Sequence, residues 1–387
     1  MRLLAPPFVF ACLVPAACLC FFSNLALAAG PPFVELTVDG AAQQGKVVAR
    51  DSRSAWLMER DGRLSFIELG KVTEFRKLAG DFRPLATNHL RDRLQKEFGR
   101  DFETAATRQY VVCAPKGAAR AYAELFEETY DTFRMYFGVR GFEVSKPEFP
   151  LVAVVFPNRE AFLDYCREEG LAATNFVGVY MARSNRVALY DPRGKGTSSL
   201  GDESASRLAR RDAGSLDQAF GAIDAGLHDT IVHEATHQVA YNTGLHSRTG
   251  ANPRWVVEGL ATVFEAPGIR DSSKNRSADS RINRGRFVEF RGFMPRRQAK
   301  SLAEFVSNDD AYQATPSEAY AEGWALTFYL IETRPREYAG YLKKIAARDP
   351  HAAYPADERL ADFKTAFGNH IEILEADFLR FMERLKS

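Results

Sequence analysis

The chain has 387 residues, 46% hydrophobic and 26% charged, which is the balance of a folded globular protein and excludes a disordered or collagen-like chain. Its 51 basic residues meet 50 acidic ones, so no broad electrostatic pull toward nucleic acid or an anionic membrane is expected. The length admits one large domain or two to three small ones.

Residues 1–28 differ from the rest. Arg2 is the only charge before Glu35, Phe8 to Leu27 is almost continuously apolar, and Ala26-Leu27-Ala28 offers a small-residue cleavage site. This is the pattern of a secretory signal peptide and predicts a periplasmic or extracellular protein. An N-terminal membrane anchor is the alternative, because the apolar run is long enough to span a bilayer. Removing the segment takes away one of the 51 basic residues and no acid, so the mature chain is balanced. No later run is long and apolar enough to predict a further membrane span. Of the five cysteines, Cys113 and Cys166 lie beyond the segment. Export permits a disulfide between them, and two buried thiols are the alternative.

Residues 33–78 alternate in short strand-like runs. Phe33 to Val38 and Gly45 to Arg50 flank the turn signal Asp39-Gly40, and Ala55 to Met58 and Leu64 to Ile67 flank Asp61-Gly62. Short strands joined by tight turns suggest a small SH3-like β-barrel, read as a module for a protein partner or as a cap on the main domain. Residues 84–387 form the second expected domain. Pro84 to Phe98 enters an amphipathic helix, and Gln109 to Cys113 is a strand. Ala118 to Phe137 is a helix with an aromatic core face, and Leu151 to Phe156, apolar throughout, is a central strand. A helix over Arg159–Glu169 precedes a hairpin of Phe176–Tyr180 and Arg186–Tyr190. Gly194 to Gly214 is a polar surface loop.

An apolar-periodic run from Leu227 to Tyr241 carries His233-Glu234-Ala235-Thr236-His237, and Gly244 can end it as a C-cap. On a helix, His233 and His237 stack on one face and can bind one Zn²⁺, with Glu234 able to reach a water on the metal. The plain alternative is two histidines on an ordinary amphipathic helix. A catalytic zinc takes a third protein ligand. A metzincin would place Gly at 240 and His at 243, where this chain has Ala240 and Thr243, so that type is excluded. Glu258, in the apolar run Trp255 to Phe264, is the better candidate, because a helix, a loop and a return helix fit between it and His237. His228 lies about 140° around the helix from His233 and is less suited to reach the metal. Beyond it, Arg281, Arg284, Arg286, Arg291, Arg296, Arg297 and Lys300 form a basic stretch, read as a solvated loop or as the rim of a cleft favouring acidic substrates. Helices are expected at Pro316–Glu332, Pro335–Arg348, Leu360–Phe367 and Ile371–Leu385.

The HExxH pentapeptide followed by Trp255-Val256-Val257-Glu258-Gly259-Leu260-Ala261 resembles the pattern of gluzincin metallopeptidases. Together with Asn185 to Asp191 and Ala319 to Leu326, it resembles more closely an exported bacterial family of uncharacterised gluzincin-like domains, over roughly residues 105 to 385. The resemblance implies an α+β zincin domain, a small sheet with an edge strand over a largely helical lower half. It implies one zinc per chain held by His233, His237 and Glu258, and Glu234 as general base in the hydrolysis of a peptide or protein substrate. Some gluzincins carry an Asp one turn after the ligand Glu; Thr262 stands there here, which leaves that role to another residue such as Glu265. An edge strand near such a helix commonly binds extended substrate by strand addition, and Val187, Ala188 and Leu189 are the expected substrate-binding residues. Tyr320 is the candidate for stabilising the oxyanion. A non-catalytic binding or scaffold protein on a degenerate zincin fold is the competing reading.

Overall fold

A computed structural model describes residues 31–172, 176–191, 225–270 and 277–386. The signal peptide and the 194–214 loop expected from the sequence lie outside these residues. By internal contacts the chain divides into two compact units. Of the described residues, the first holds 31–60 and 65–83, the second 61–64 and 84–386.

The first unit is a five-stranded sheet. Strand β1 (Phe33–Val38) pairs antiparallel with β2 (Ala41–Arg50) across Asp39 and Gly40, whose φ values of 50° and 79° suit a tight primed turn. After β3 (Ser54–Glu59) and β4 (Leu64–Glu68), β5 (Val72–Lys77) returns to the far side of β1, so the order is β4-β3-β2-β1-β5. Val34, Leu36, Leu57, Ile67 and Val72 form its core. No ladder joins β4 to β5 among the described residues, so the sheet is open where the turn pattern suggested a closed barrel. A single 3₁₀ turn, Leu69–Lys71, separates these strands, and β5 spends its ladder on β1.

The second unit is α+β. Its sheet runs β6-β7-β8-β10-β9, with β6 at Phe102–Ala106, β7 at Tyr110–Pro115, β8 at Leu151–Phe156, β9 at Gly178–Met181 and β10 at Arg186–Tyr190. Strands β7, β8 and β10 are parallel; β6 and β9 are antiparallel edges. Every residue of β8 is buried, which explains its unbroken apolar text: a parallel strand covered on both faces needs no polar side. Alternate residues divide between two cores. Val111, Cys113, Val152, Val154 and Ala188 pack with Leu90 and Leu94 of α1 (Thr87–Phe98) and with Phe162 and Cys166 of α2 (Arg159–Glu168). Cys113 and Cys166 are therefore free buried thiols, whose pKa values burial pushes up to about 12 and about 11. Tyr110, Val112, Ala153, Val187 and Leu189 face the larger core, with the aromatic stripe of α3 (Ala119–Gly138) and the helical lower half.

That lower half includes α4 (Ala225–Asn242), α5 (Arg254–Phe264), α6 (Arg284–Phe293), α7 (Pro316–Thr333), α8 (Pro335–Ala346), α9 (Ala356–Phe367) and α10 (Ile371–Arg384). Helix α7 is buried almost all round: from Ala321 to Ile331 every residue is inside, including Trp324 and Phe328. Among the described residues, no helix is long and apolar enough to cross a membrane.

Candidate metal centre

Helix α4 is fixed to the sheet by a buried amide. Gln238 Nε2 donates to Val152 O at 2.9 Å and to Asn185 O at 2.8 Å. With the helix so held, the other face of its turn carries His233 and His237. Their Nε2 atoms are 3.0 Å apart and the rings stand at 88°. Glu258 Oε2, from α5, lies 3.5 Å from His233 Nε2 and 3.6 Å from His237 Nε2. One donor atom from each of the three residues falls within 4.8 Å of the others.

This arrangement fits a divalent metal. Two imidazole nitrogens at this separation oppose lone pair to lone pair unless a cation or proton lies between them, and two His with one carboxylate is a catalytic zinc donor set. His233 Nδ1 is hydrogen-bonded to Glu265 Oε1 at 2.8 Å. The carboxylate thereby holds the tautomer that leaves Nε2 for a metal. Glu265 is held in turn by Asn283 Nδ2, which donates to Glu265 Oε2 at 2.8 Å and to Thr262 O at 2.9 Å. The electrostatics agree. Burial works against charge on His233, but Glu258, Glu265 and Glu234 outweigh it and hold its pKa well above the usual range. Burial likewise opposes the Glu258 anion, yet its bonds to both histidines hold its pKa far below the usual range. The cluster favours positive charge at its centre. Glu265→Gln should therefore weaken binding of a divalent metal by ~10–100-fold, read by competition of added zinc with a metal indicator.

Glu234 sits between the two histidines in sequence and meets the sheet edge. Its Oε2 accepts a hydrogen bond from the backbone N–H of Tyr180 at 2.7 Å. The strand comes close because residue 178 is glycine: a Cβ there would lie 2.8 Å from Thr230 Cγ2 and 3.2 Å from Glu234 Cγ. Tyr180 is anchored at its other end, its hydroxyl donating to Asn185 Oδ1 at 3.0 Å, and Asn185 is bonded to Asn242 of α4.

The expected substrate strand needs correcting. Val187, Ala188 and Leu189 have no exposed surface and lie between β8 and β9, so their backbone groups are spent on both neighbours. Among the described residues, the sheet edge on this side is β9. Tyr190 N–H donates to Val177 O, and antiparallel pairing alternates, so Gly178 and Tyr180 turn their backbone groups outward.

Tyr320 does reach the site. It lines a cleft of about 720 Å³ with Gly178, Tyr180, Glu234, both histidines and Glu258. Burial raises its pKa and the charge of Glu258 adds to this, partly offset by Arg254, so its hydroxyl stays protonated and able to donate. Two arginines line the same cleft: Arg286, from the basic stretch that could rim it, and Arg254, overlooked in the sequence. Arg254 could have been found, since it stands one helical turn before Glu258. Three others of the basic stretch are engaged elsewhere. Arg281 pairs with Glu332, Arg296 with Glu318, and Arg297 is buried against Glu322 and Glu375. His246, the next histidine after the motif, is buried beside Tyr241 and hydrogen-bonded to Leu245 O, and burial pushes its pKa down to about 3.

Fold and site together define an α+β protein whose two successive helices bring two histidines and a glutamate to one point beside a sheet edge. A family described only as a protein of unknown function (DUF1570) matches residues 228–352, a span that takes in His233, Glu234, His237, Glu258 and Tyr320. No curated protein matches the chain.

Proposed function

We propose that the chain is an exported zinc-dependent peptidase of gluzincin type. The observation that carries this reading is the convergence of His233, His237 and Glu258 beside an intact Glu234, at a sheet edge with outward backbone groups. A purely structural metal site needs no general base. A zinc ion held by the three residues supplies Lewis-acid polarisation of a carbonyl and an activated water. An extended peptide adds along β9, hydrogen-bonding to the outward groups of Gly178 and to the Tyr180 carbonyl, while the Tyr180 N–H stays on Glu234. Glu234 accepts the proton of the attacking water and delivers it to the leaving amine. Tyr320, kept protonated, donates to the developing oxyanion. Residues 1–28 direct export and are removed. The first unit, whose last strand returns to its first, is an SH3-like module for a protein partner.

The test is metal analysis of protein purified without chelators, paired with a mixed peptide library. About one zinc per chain is expected, with cleavage abolished by a chelator and restored by zinc. A protein that retains no zinc and takes up none when it is added would overturn the reading in favour of a scaffold.

A further inference from the structure

Arg254 and Arg286 come from different helices and enter the cleft on one tyrosine. The Arg254 guanidinium lies 5.9 Å from the centre of the Tyr320 ring, and that of Arg286 lies 5.4 Å from it. Arg254 also lies over the ring of Tyr312 at 4.9 Å, and its Nη2 donates to the Tyr320 hydroxyl at 3.4 Å. Its own helix start is tied down, the Arg254 N–H donating to Asp309 Oδ1 at 2.9 Å. Two guanidinium groups resting on aromatic faces are cations already oriented, and a planar fork of donors is the group that best receives a carboxylate.

Their present partners leave room for another anion. Among the described residues, the carboxylate paired with Arg254 is Glu258, at 3.8 Å, and Glu258 is committed to the two histidines. Arg286 is paired at 2.9 Å with Glu289 on its own helix, a residue whose side chain is 43% exposed. Solvated pairs of that kind contribute little and exchange readily. Of the other acids lining the cleft, Glu234 is bonded to Tyr180 N–H and Glu265 to His233 and Asn283, while Asp229 faces His228 at 3.8 Å.

We propose that Arg254 and Arg286 form a subsite for a substrate carboxylate, so that the preferred peptide carries an anionic group near the bond to be cut. This rests on the peptidase reading. The shared chemistry is a carboxylate, whether from an acidic side chain or from a free C-terminus.

The experiment uses the full-length protein loaded with zinc and three peptide sets on one neutral scaffold. One set carries Asp or Glu at each position in turn with an amidated C-terminus. A second is neutral with a free C-terminal carboxylate at varied distance, and a third is neutral and amidated. Both kcat/KM and, in the Glu234→Gln protein, equilibrium binding by fluorescence anisotropy are read. One anionic set should exceed the neutral amidated set by ~10-fold or more, as expected for a charge-assisted hydrogen bond. Which set does so identifies the source of the carboxylate. The ratio should collapse toward one in Arg254→Gln/Arg286→Gln. Should that double variant fold poorly, Arg286→Glu should shift preference toward peptides with Lys at the same position. Equal cleavage and equal binding of anionic and neutral peptides would overturn the subsite. Absence of any cleavage would count against the peptidase reading alone, because the binding ratio still decides the subsite.

Discussion

Glu234→Gln should lower peptide hydrolysis by ~10²–10⁴-fold, the usual contribution of a positioned general base, with zinc content and melting temperature essentially unchanged. The separation of these effects follows from the geometry. Glu234 is not among the three candidate metal donors, so the substitution leaves the donor set whole. Among the described residues, its hydrogen bond is the one it accepts from Tyr180 N–H at 2.7 Å. A glutamine oxygen accepts the same bond, and the side chain has nearly the same volume. Strand β9 therefore keeps its approach to α4, which the absence of a Cβ at Gly178 permits. What is lost is the capacity to take a proton, together with one negative charge beside His233. A fluorogenic peptide assay, metal analysis and a thermal melt on the same preparation check all three parts. A variant that cleaves within a few-fold of the wild type would show that Glu234 is not the base.

Much of this site could be read from the sequence because it is made of local patterns. His233 and His237 are four residues apart on a periodic run, and Glu258 follows on a second apolar run at a distance a helical return can bridge. The arrangement of strands was not local. Val187 to Leu189 is apolar and its strand follows Gly178 to Met181 in a hairpin, and nothing in either run says which lies outside. The parallel pairing of β10 with β8 decides it, and that pairing depends on residues some thirty positions away. The basic stretch divides for a related reason. Arg281 and Arg297 look alike in sequence to Arg286. Their partners Glu332, Glu322 and Glu375 come from α7 and α10, and draw the first two into the protein instead of the cleft. Glu265 was open as a partner for His233, but Asn283, which orients it, carried no signal in the sequence beyond its fitness as the N-cap of α6.

The glycine after Glu258 has a packing role of its own. Gly259→Ala should lower the free energy of unfolding by about 2–3 kcal/mol, the scale of overpacking in a closed core. Intrinsic helix propensity argues the opposite way, since alanine is favoured over glycine in a helix interior by about 1 kcal/mol. Packing decides the sign. A Cβ at position 259 would collide with Thr327 Oγ1 and would stand 2.6 Å from Gly323 O. Thr327 has no exposed surface, so its side chain has little space to turn. Gly323 O is backbone, and it gives way only if α5 and α7 move apart. That movement carries Glu258 away from His233 and His237, so zinc affinity should fall together with stability. Gly340 supplies the contrast. It lies on the exposed side of α8 with nothing within 4 Å of its would-be Cβ, and Gly340→Ala should stabilise the protein by about 0.5–1 kcal/mol with zinc binding unchanged. Denaturant unfolding of the two metal-free variants, with a zinc titration of each, should give opposite signs for stability and a loss of affinity only at position 259. A Gly259→Ala protein as stable as the wild type would mean that the helices part freely there, and that the close approach of α5 to α7 does not hold Glu258 in place.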